Sequence, residues 1–260
     1  MTFPTVVSYY TQHTGYEREV RNLIASCQAL GLPYYVEGVP SFGSWERNCC
    51  YKPRYLLDKL AALRTPLLWV DADAVIVKKP HLFTSLDADI ALRIVDTLPA
   101  TSSSKMISGT LFCNTTHATK QLLQEWEEEC QRLLSERQGE VWDQVALRNV
   151  ALRSKAKIAS LPRAYYTIYD TMTPACQKEA IIIHYQASRI FKKEIDQLVI
   201  PFWNAATSSQ EARRTFVSNL KGSSKDKKDR HESGCSREKK RDRRVGAQKE
   251  ASEKGSKDHR

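Results

Sequence analysis

The sequence predicts an α/β fold with an open, largely parallel sheet that is covered by helices on both faces. Two observations lead to this prediction. Segments rich in β-branched and aromatic residues alternate along the chain with amphipathic helical segments. The run Leu67–Val70 is apolar throughout, which is typical of a strand buried on both faces. At 260 residues, the chain is long enough to bury the core of one such domain.

The individual strands and helices are placed by hydrophobic periodicity and by turn residues. The predicted strands are 5–10, 32–36, 67–70, 90–95, 110–113, 157–160, 164–168 and 180–184. The predicted helices are 16–30, 51–63, 117–137, 142–152 and 205–220. Gly31 ends the first of these helices, and the Thr-Ser-Ser-Ser-Lys run over 101–105 is predicted to be a flexible loop.

A predicted domain over 1–220 is followed by a tail of different composition. Residues 221–260 contain 15 Lys and Arg against 8 Asp and Glu, and they lack Leu, Ile, Phe, Tyr and Trp. Such a segment cannot bury enough apolar surface to offset the entropy of ordering, so we predict a disordered basic tail. Because the tail carries most of the net charge of +10, the domain itself is not predicted to bind nucleic acid.

The location expected from the sequence is the cytoplasm. No apolar run reaches the roughly 18 residues of a membrane-spanning helix. The first residues lack the basic flank and the apolar length of a signal peptide. The 7 cysteines are an odd number without a Cys-x-x-Cys pair, so we expect free thiols rather than disulfides or a zinc site.

The most informative motif is Asp71-Ala-Asp73, which directly follows the apolar strand 67–70. Ligands of open α/β sheets bind at the carboxyl ends of the strands, and carboxylate oxygens favour Mg²⁺ or Mn²⁺ together with phosphate oxygens. The structural alternative is that both acids cap a turn. A second motif, Asp87-Ala-Asp89, precedes a strand and is therefore predicted to lie at the opposite edge as a turn only.

An Asp-x-Asp motif after an apolar strand also fits HAD-type phosphohydrolases, in which the first Asp is the nucleophile. Such chains usually open with the motif, whereas two strand–helix units precede it in this sequence. A later Gly-Asp-x-x-x-Asp metal segment is also missing from the sequence. The phosphohydrolase is therefore the weaker alternative.

The order of several motifs resembles the GT-A glycosyltransferases, specifically the small nucleotide-diphospho-sugar transferases related to lipooligosaccharide galactosyltransferases and glycogenin. The resemblance covers roughly residues 5–200. The matching segments are Ser44-Trp45 with Asn48, Lys52-Pro53, Leu68–Asp73, Lys79-Pro80, Ser108–Asn114, Trp142–Gln144 and His184–Arg189. The closing Gly-x-x-Lys-Pro-Trp of the galactosyltransferase relatives is absent. The resemblance implies a Rossmann-like three-layer αβα architecture.

The resemblance also implies a role for each matching residue. Asp71, Asp73 and His184 are expected to bind Mn²⁺ or Mg²⁺, which would neutralise the charge that develops on the leaving nucleoside diphosphate. The expected donor-binding residues are Tyr9, Thr11, Lys52, Asp71, Gly109, Asn114, Arg189 and Lys192. Asp143 and Gln144 are expected to flank the anomeric carbon of the donor sugar as the catalytic residues.

The donor-binding residues would contact different parts of the nucleotide sugar. Tyr9 and Thr11 end the first strand, so they would cradle the base by stacking and by backbone hydrogen bonds. Arg189 and Lys192 would neutralise the pyrophosphate. Gly109 would allow the backbone to approach the sugar closely.

The remaining residues have structural alternatives. Asn114 would bond a sugar hydroxyl, and Lys52 would contact a phosphate or cap its own helix. A histidine after an apolar strand, as at position 184, is by itself more often structural. Asp143 at a helix start also fits a role in stabilising the helix dipole.

We therefore expect a metal-dependent glycosyltransferase that moves a sugar from a UDP- or GDP-sugar to a glycan or glycolipid acceptor with retention of configuration. The alternative is a basic-tailed protein that contacts RNA or an anionic membrane and carries an inactive GT-A fold. We also hypothesise that the tail holds the enzyme peripherally at the inner face of the membrane, although its interspersed Asp and Glu residues weaken that attraction.

Overall fold

The structure is a computed structural model, and it describes residues 2–136 and 141–192. Its strands are β1 Thr5–Thr11, β2 Tyr34–Val39, β3 Leu67–Val70, β4 Ala74–Ile76, β5 Ile90–Ile94, β6 Met106–Cys113, β7 Ile158–Ser160, β8 Thr167–Ile168 and β9 Ile182–His184. Its α-helices are α1 Tyr16–Leu30, α2 Trp45–Cys50, α3 Lys52–Leu63, α4 His117–Glu136, α5 Asp143–Ala151 and α6 Pro174–Glu179. Three short 3₁₀ helices span His81–Thr84, Arg163–Tyr165 and Tyr169–Thr171.

The main sheet has six strands in the order β2-β1-β3-β6-β5-β7. β1 is parallel to β2 and β3, and β5 is parallel to β7. β6 is antiparallel to both of its neighbours, so the other five strands share one direction. The largely parallel sheet predicted from the sequence is confirmed, and the single reversed strand decides which of its residues reach the site.

Helices cover the two faces of this sheet in separate layers. On one face, Leu56 of α3, Trp126 of α4 and Leu147 of α5 pack into one buried cluster with strand residues such as Trp69. On the other face, Leu23 and Cys27 of α1 pack against Val6 and Leu68. The second face is completed by a small sheet of order β4-β9-β8, which contributes Ile76 and Ile182 to the same cluster. The three-layer arrangement is therefore confirmed.

The small second sheet is the main feature that the sequence did not predict. β4 has three residues and begins directly after Asp73. It pairs antiparallel with β9, with Ala74 opposite His184. This pairing brings the end of β9 beside the Asp71-Ala-Asp73 motif.

Several predicted boundaries change for local reasons. The segment before 51–63 forms a separate helix, α2, whose first turn is capped by the Ser44 hydroxyl accepting from the Arg47 amide at 3.2 Å. The predicted strand 164–168 is mostly the 3₁₀ turn Arg163–Tyr165, and only its last two residues pair. The first helix ends as predicted, because Gly31 adopts the left-handed conformation.

Some predictions concern residues that the structure does not describe. The helix predicted over 205–220 and the tail over 221–260 lie outside the described residues. Within the described ranges, the structure contains no helix that combines the length and the apolar character needed to cross a membrane. The described cysteines are free thiols.

Candidate active site

A cleft of about 410 Å³ lies at the edge of the sheet where β1 and β3 end. Ten predicted site residues line it: Tyr9, Thr11, Lys52, Asp71, Asp73, Gly109, Asp143, Gln144, Arg189 and Lys192. They come from strands, helices and the segment after β9, which are far apart in the sequence. The fold therefore brings together most of the residues selected from the sequence.

Asp71, Asp73 and His184 form a cluster in which one ligand atom from each residue lies within 4.8 Å of the others. Two elements build this cluster. The Asp71 carbonyl accepts from the Ala74 amide at 3.0 Å, which closes the turn between β3 and β4. The pairing of β4 with β9 then places His184 at the same rim as the two acids. Three potential metal ligands thus converge at one point.

The His184 imidazole is fixed on two sides. Its Nε2 atom lies 2.8 Å from the Thr110 hydroxyl, and its ring lies 4.3 Å from the Tyr166 ring, centroid to centroid. Its buried Nδ1 atom has no hydrogen-bond partner within the described part of the chain. Burial, with a smaller effect from the Lys52 ammonium, lowers the pKa of His184 to about 3, so the imidazole is neutral.

Asp73 is the buried acid of the pair. One of its carboxylate oxygens, Oδ2, accepts from the Ala187 amide at 2.6 Å, so the segment after β9 closes over it. Burial, and then the charge on Asp71, raise the pKa of Asp73 to about 7. A buried carboxyl beside a second acid is a favourable position for a cation, which would offset both effects.

Lys52 joins Asp71 to a second acid, the buried Asp143. Its ammonium lies 2.7 Å from the Asp143 carboxylate and 3.1 Å from that of Asp71. Burial alone would lower the pKa of Lys52, but the charges on Asp143 and Asp71 raise it above its ordinary value. Asp143 also accepts from the Ser108 hydroxyl at 2.7 Å, and Asp71 from the Trp69 indole at 2.8 Å. The site is a charge network with each carboxylate held in place.

A protein-family model described as nucleotide-diphospho-sugar transferase matches residues 46–194, which is more than half of the chain. The chain belongs to the nucleotide-diphospho-sugar transferase family. The matched range includes Lys52, Asp71, Asp73, Asp143 and His184. The choice between a sugar transferase and a HAD-type phosphohydrolase is thereby decided in favour of the glycosyltransferase.

Comparison with solved structures supports the fold of this transferase. The crystal structure of a glycosyltransferase involved in the glycosylation of the major capsid of PBCV-1 matches with a TM-score of 0.56 and 17% sequence identity. The match covers 76% of this chain and 99% of that one. No curated protein sequence matches the chain significantly. At this identity the likeness establishes a shared GT-A fold.

The two predicted catalytic residues of the transferase line the cleft, but both are held by the protein. The Asp143 side chain is only 7% exposed because it pairs with Lys52. The Gln144 carbonyl oxygen accepts from the Ser108 amide at 3.3 Å, and its amide group donates to the Ser103 carbonyl at 2.6 Å. Gln144 thus connects the cleft to the segment that the sequence predicted to be a flexible loop.

Gly109 lines the cleft of the transferase, and a side chain at this position would clash with its neighbours. A Cβ at this position would lie 2.6 Å from the Tyr166 ring and 2.9 Å from Asp71 Oδ2. It would also lie 3.1 Å from the His184 ring. The absence of a side chain at Gly109 therefore allows Tyr166, Asp71 and His184 to pack closely against β6.

The structure does not bring Asn114, a predicted donor-binding residue, to the cleft. Because β6 runs antiparallel to β3, its first half reaches the cleft, and Asn114 follows the far end of the strand. The Asn114 side-chain amide donates to the Ala88 carbonyl at 3.1 Å, at the edge that holds Asp87 and Asp89. Asn114 thus stabilises the turn before β5.

Tyr9, which the sequence analysis assigns to the base of the donor, lies in the floor of the cleft. The Tyr9 ring packs against the rings of Tyr55 and Trp69, with centroids 5.1 Å away in both cases. Its hydroxyl donates to the Asn48 carbonyl at 2.5 Å. Tyr9 is 8% exposed, so it supports the cleft floor instead of offering a face to a ligand. Thr11 is buried in the same way.

Arg189 and Lys192 lie at the rim, where each already pairs with an acid. Arg189 lies 2.8 Å from Asp170, and the side chains of both are about half exposed. Lys192 lies 2.8 Å from Glu46 and stands over the Trp45 ring. Exposed pairs of this kind contribute little to stability, so both cations remain available to an anionic ligand.

Sequence reasoning missed four residues that shape the site: Trp69, Ser108, Thr110 and Tyr166. Trp69 could have been found, because residues two apart in a strand point to the same face and Trp69 precedes Asp71 by two. Ser108 and Thr110 flank Gly109, which the motif had singled out. Tyr166 follows a 3₁₀ turn with no sequence signal of its own.

Proposed function

We propose that this transferase depends on Mn²⁺ or Mg²⁺ and moves a sugar from a UDP- or GDP-sugar to a glycan or glycolipid acceptor with retention of configuration. Asp71, Asp73 and His184 would hold the metal. The observation that carries the proposal is their convergence within 4.8 Å. The resemblance to retaining relatives supports retention.

The three residues fit a divalent cation. Two carboxylates and one neutral imidazole form a donor set that suits Mn²⁺, and Mg²⁺ prefers the carboxylate oxygens. The buried Nδ1 atom of His184 lacks a hydrogen-bond partner among the described residues, as expected for a ligand atom. When bound, the metal would neutralise the charge that develops on the leaving diphosphate.

The chain's own residues would position the donor sugar. Lys52 holds the carboxylates of Asp143 and Asp71 in place through its ammonium. Asp143 lines the cleft, where its carboxylate would face the sugar and stabilise positive charge near the anomeric carbon. Arg189 and Lys192 would move from their exposed partners to the diphosphate. Lys52 is therefore proposed as a positioning residue rather than a phosphate ligand.

Thermal unfolding in the presence of a nucleotide-sugar panel tests this proposal. A UDP- or GDP-sugar at about 100 times its Kd should stabilise the protein by about 2.7 kcal/mol, and only with Mn²⁺ or Mg²⁺ present. The anomeric configuration of the product, read by proton NMR, tests retention. Equal stabilisation in EDTA and in Mn²⁺ would contradict the metal dependence.

We further propose that the basic tail holds the transferase at an anionic membrane surface. The support is its composition, 15 Lys and Arg against 8 Asp and Glu over 221–260. Co-sedimentation with anionic liposomes should therefore fall with added salt and with deletion of the residues after Leu220. Sugar transfer should survive that deletion. If contacts made by the tail were instead the main function of the protein, the deletion would abolish that function.

A further inference from the structure

Two tryptophans at the rim of the cleft have no part in the proposed metal and donor binding. Trp45 begins α2, and Trp142 directly precedes α5. Both line the cleft and are half-buried. Their ring centroids lie 6.1 Å apart and their planes meet at 80°. The two indoles therefore form a perpendicular aromatic corner that opens toward the cleft.

The position of this corner relates it to the transfer reaction. Trp142 is the residue before Asp143, whose carboxylate pairs with Lys52 in the cleft. In the proposed function the donor sugar lies against Asp143. An acceptor must reach the anomeric carbon of that sugar from a neighbouring part of the cleft, and the aromatic corner is such a part.

The chemistry of the corner suits a sugar ring. A pyranose carries C–H groups on its faces and hydroxyls around its edge, so it can pack an apolar face on an indole while its edge stays hydrated. Tryptophan provides a large contact area at a small cost in side-chain entropy. Glu46, at the same rim, is an acceptor for the sugar hydroxyls, and its side chain is 26% exposed.

Lys192 occupies the corner in this structure. Its ammonium lies 4.5 Å from the Trp45 ring centroid and 5.8 Å from that of Trp142, and it pairs with Glu46 at 2.8 Å. The Lys192 side chain is 38% exposed, so these contacts are readily exchanged for others. Its movement toward the diphosphate of a bound donor would uncover the indoles.

We propose that Trp45 and Trp142 form the acceptor subsite and bind a pyranose ring of the acceptor glycan, with Lys192 covering the indoles until the donor binds. The proposal rests on the proposed function, because it uses the donor position assigned there. It adds a named site for the acceptor and a preference for acceptors that end in a sugar ring.

Saturation-transfer NMR on the full chain tests the subsite with a panel of methyl glycosides as probes, in the presence of Mn²⁺ and UDP. At least one glycoside should receive saturation in the wild type. Trp45→Leu and Trp142→Leu should each reduce that signal at least fivefold, and Trp142→Phe should keep at least half of it. The UDP signal should be unchanged in all three variants. Tyr34→Leu, at an exposed aromatic residue of β2, is the control and should change neither signal.

Hydrolysis of the donor nucleotide sugar by the wild type, measured in parallel, separates this inference from the proposed function. Hydrolysis without any glycoside signal, or with a signal that the leucine variants retain, would overturn the acceptor subsite. A loss of the UDP signal in the leucine variants would place the base on the indoles and would also overturn it. A tryptophan-dependent glycoside signal without hydrolysis would uphold the sugar site and count against the proposed function.

Discussion

The tripeptide Asp-Ala-Asp occurs twice in this chain, at 71–73 and at 87–89, and the two copies differ in position and in contacts. The first follows the end of β3 and the second precedes the start of β5. Because β3 and β5 run in the same direction, the two copies lie at opposite edges of the main sheet. The two identical tripeptides thus lie in different environments, because one follows a strand and the other precedes a strand that runs in the same direction.

The contacts of the second copy show what a structural Asp-Ala-Asp is like. The Asp89 carboxylate accepts from the Thr116 hydroxyl at 2.6 Å and from the Lys157 amide at 2.7 Å. Asp87 pairs with the Lys157 ammonium and its side chain is 91% exposed. The carboxylates of the second copy are therefore paired with hydrogen-bond donors and a cation of the protein itself. In the first copy, two acids meet a neutral histidine in a cleft, which is why we assign the metal to that copy.

The strongest expected difference between the copies is in activity. Asp73→Asn should reduce sugar transfer by on the order of 10³-fold, because a neutral amide is a poor ligand for the cation that stabilises the leaving group. Asp87→Asn should leave transfer within about twofold of the parent, since Asp87 is exposed. Both rates are measured at saturating Mn²⁺. Equal activity of Asp73→Asn and the parent would remove the metal assignment.

The next difference is in stability. Asp143→Ala should destabilise the fold by about 3 kcal/mol, because it removes a buried partner of the Lys52 ammonium and the acceptor of the Ser108 hydroxyl. Asp87→Ala removes an exposed ion pair and should cost at most about 0.5 kcal/mol. Urea unfolding gives both values. A loss at Asp143 as small as that at Asp87 would mean that Asp71 and Ser108 are sufficient partners for the Lys52 ammonium.

The contacts of the two copies also predict a difference in metal affinity. Thr110→Val removes the hydroxyl that fixes the His184 ring and should weaken Mn²⁺ binding about tenfold. Thr116→Val removes the equivalent hydroxyl from the second copy and should leave Mn²⁺ affinity unchanged. Titration calorimetry with Mn²⁺ measures both. If Thr110→Val bound Mn²⁺ as tightly as the parent, the His184 ring would be held by its packing on Tyr166 instead.

How much of the fold the sequence predicts depends on the length of each element. The helix over 16–30 was predicted to the residue, because its apolar spacing is regular and Gly31 ends it. β4 was missed, since three residues are too few for a periodic pattern. β8 was predicted too long because the two tyrosines before Thr167 continue the aromatic and β-branched pattern of a strand, although Tyr165 lies in a 3₁₀ turn.

In the candidate site, too, the features set by neighbouring residues in the sequence could be predicted, whereas those set by contacts between distant segments could not. Asp71, Asp73 and His184 follow apolar runs, so the sequence placed all three at one sheet edge. Their actual proximity comes from the pairing of β4 with β9, which the sequence did not predict. The position of Asn114 away from the cleft could not be predicted, because spacing along β6 carries no information on the direction of the strand. The contacts of Tyr166 with His184 depend on the packing of the second sheet, which the sequence did not predict.

The smallest expected effect concerns the orientation of Asp71. The Trp69 indole and the Lys52 ammonium both donate to the same oxygen, Asp71 Oδ1, at 2.8 and 3.1 Å. Trp69→Phe removes one donor and keeps a ring among Tyr9 and Tyr55, so Mn²⁺ affinity should fall only about threefold. Titration calorimetry resolves a change of this size. A loss above about tenfold would mean that the indole, rather than the lysine, orients the acid. The second copy lacks a tryptophan at the corresponding position, Ser85, so this donor would then be a further feature that separates the two copies.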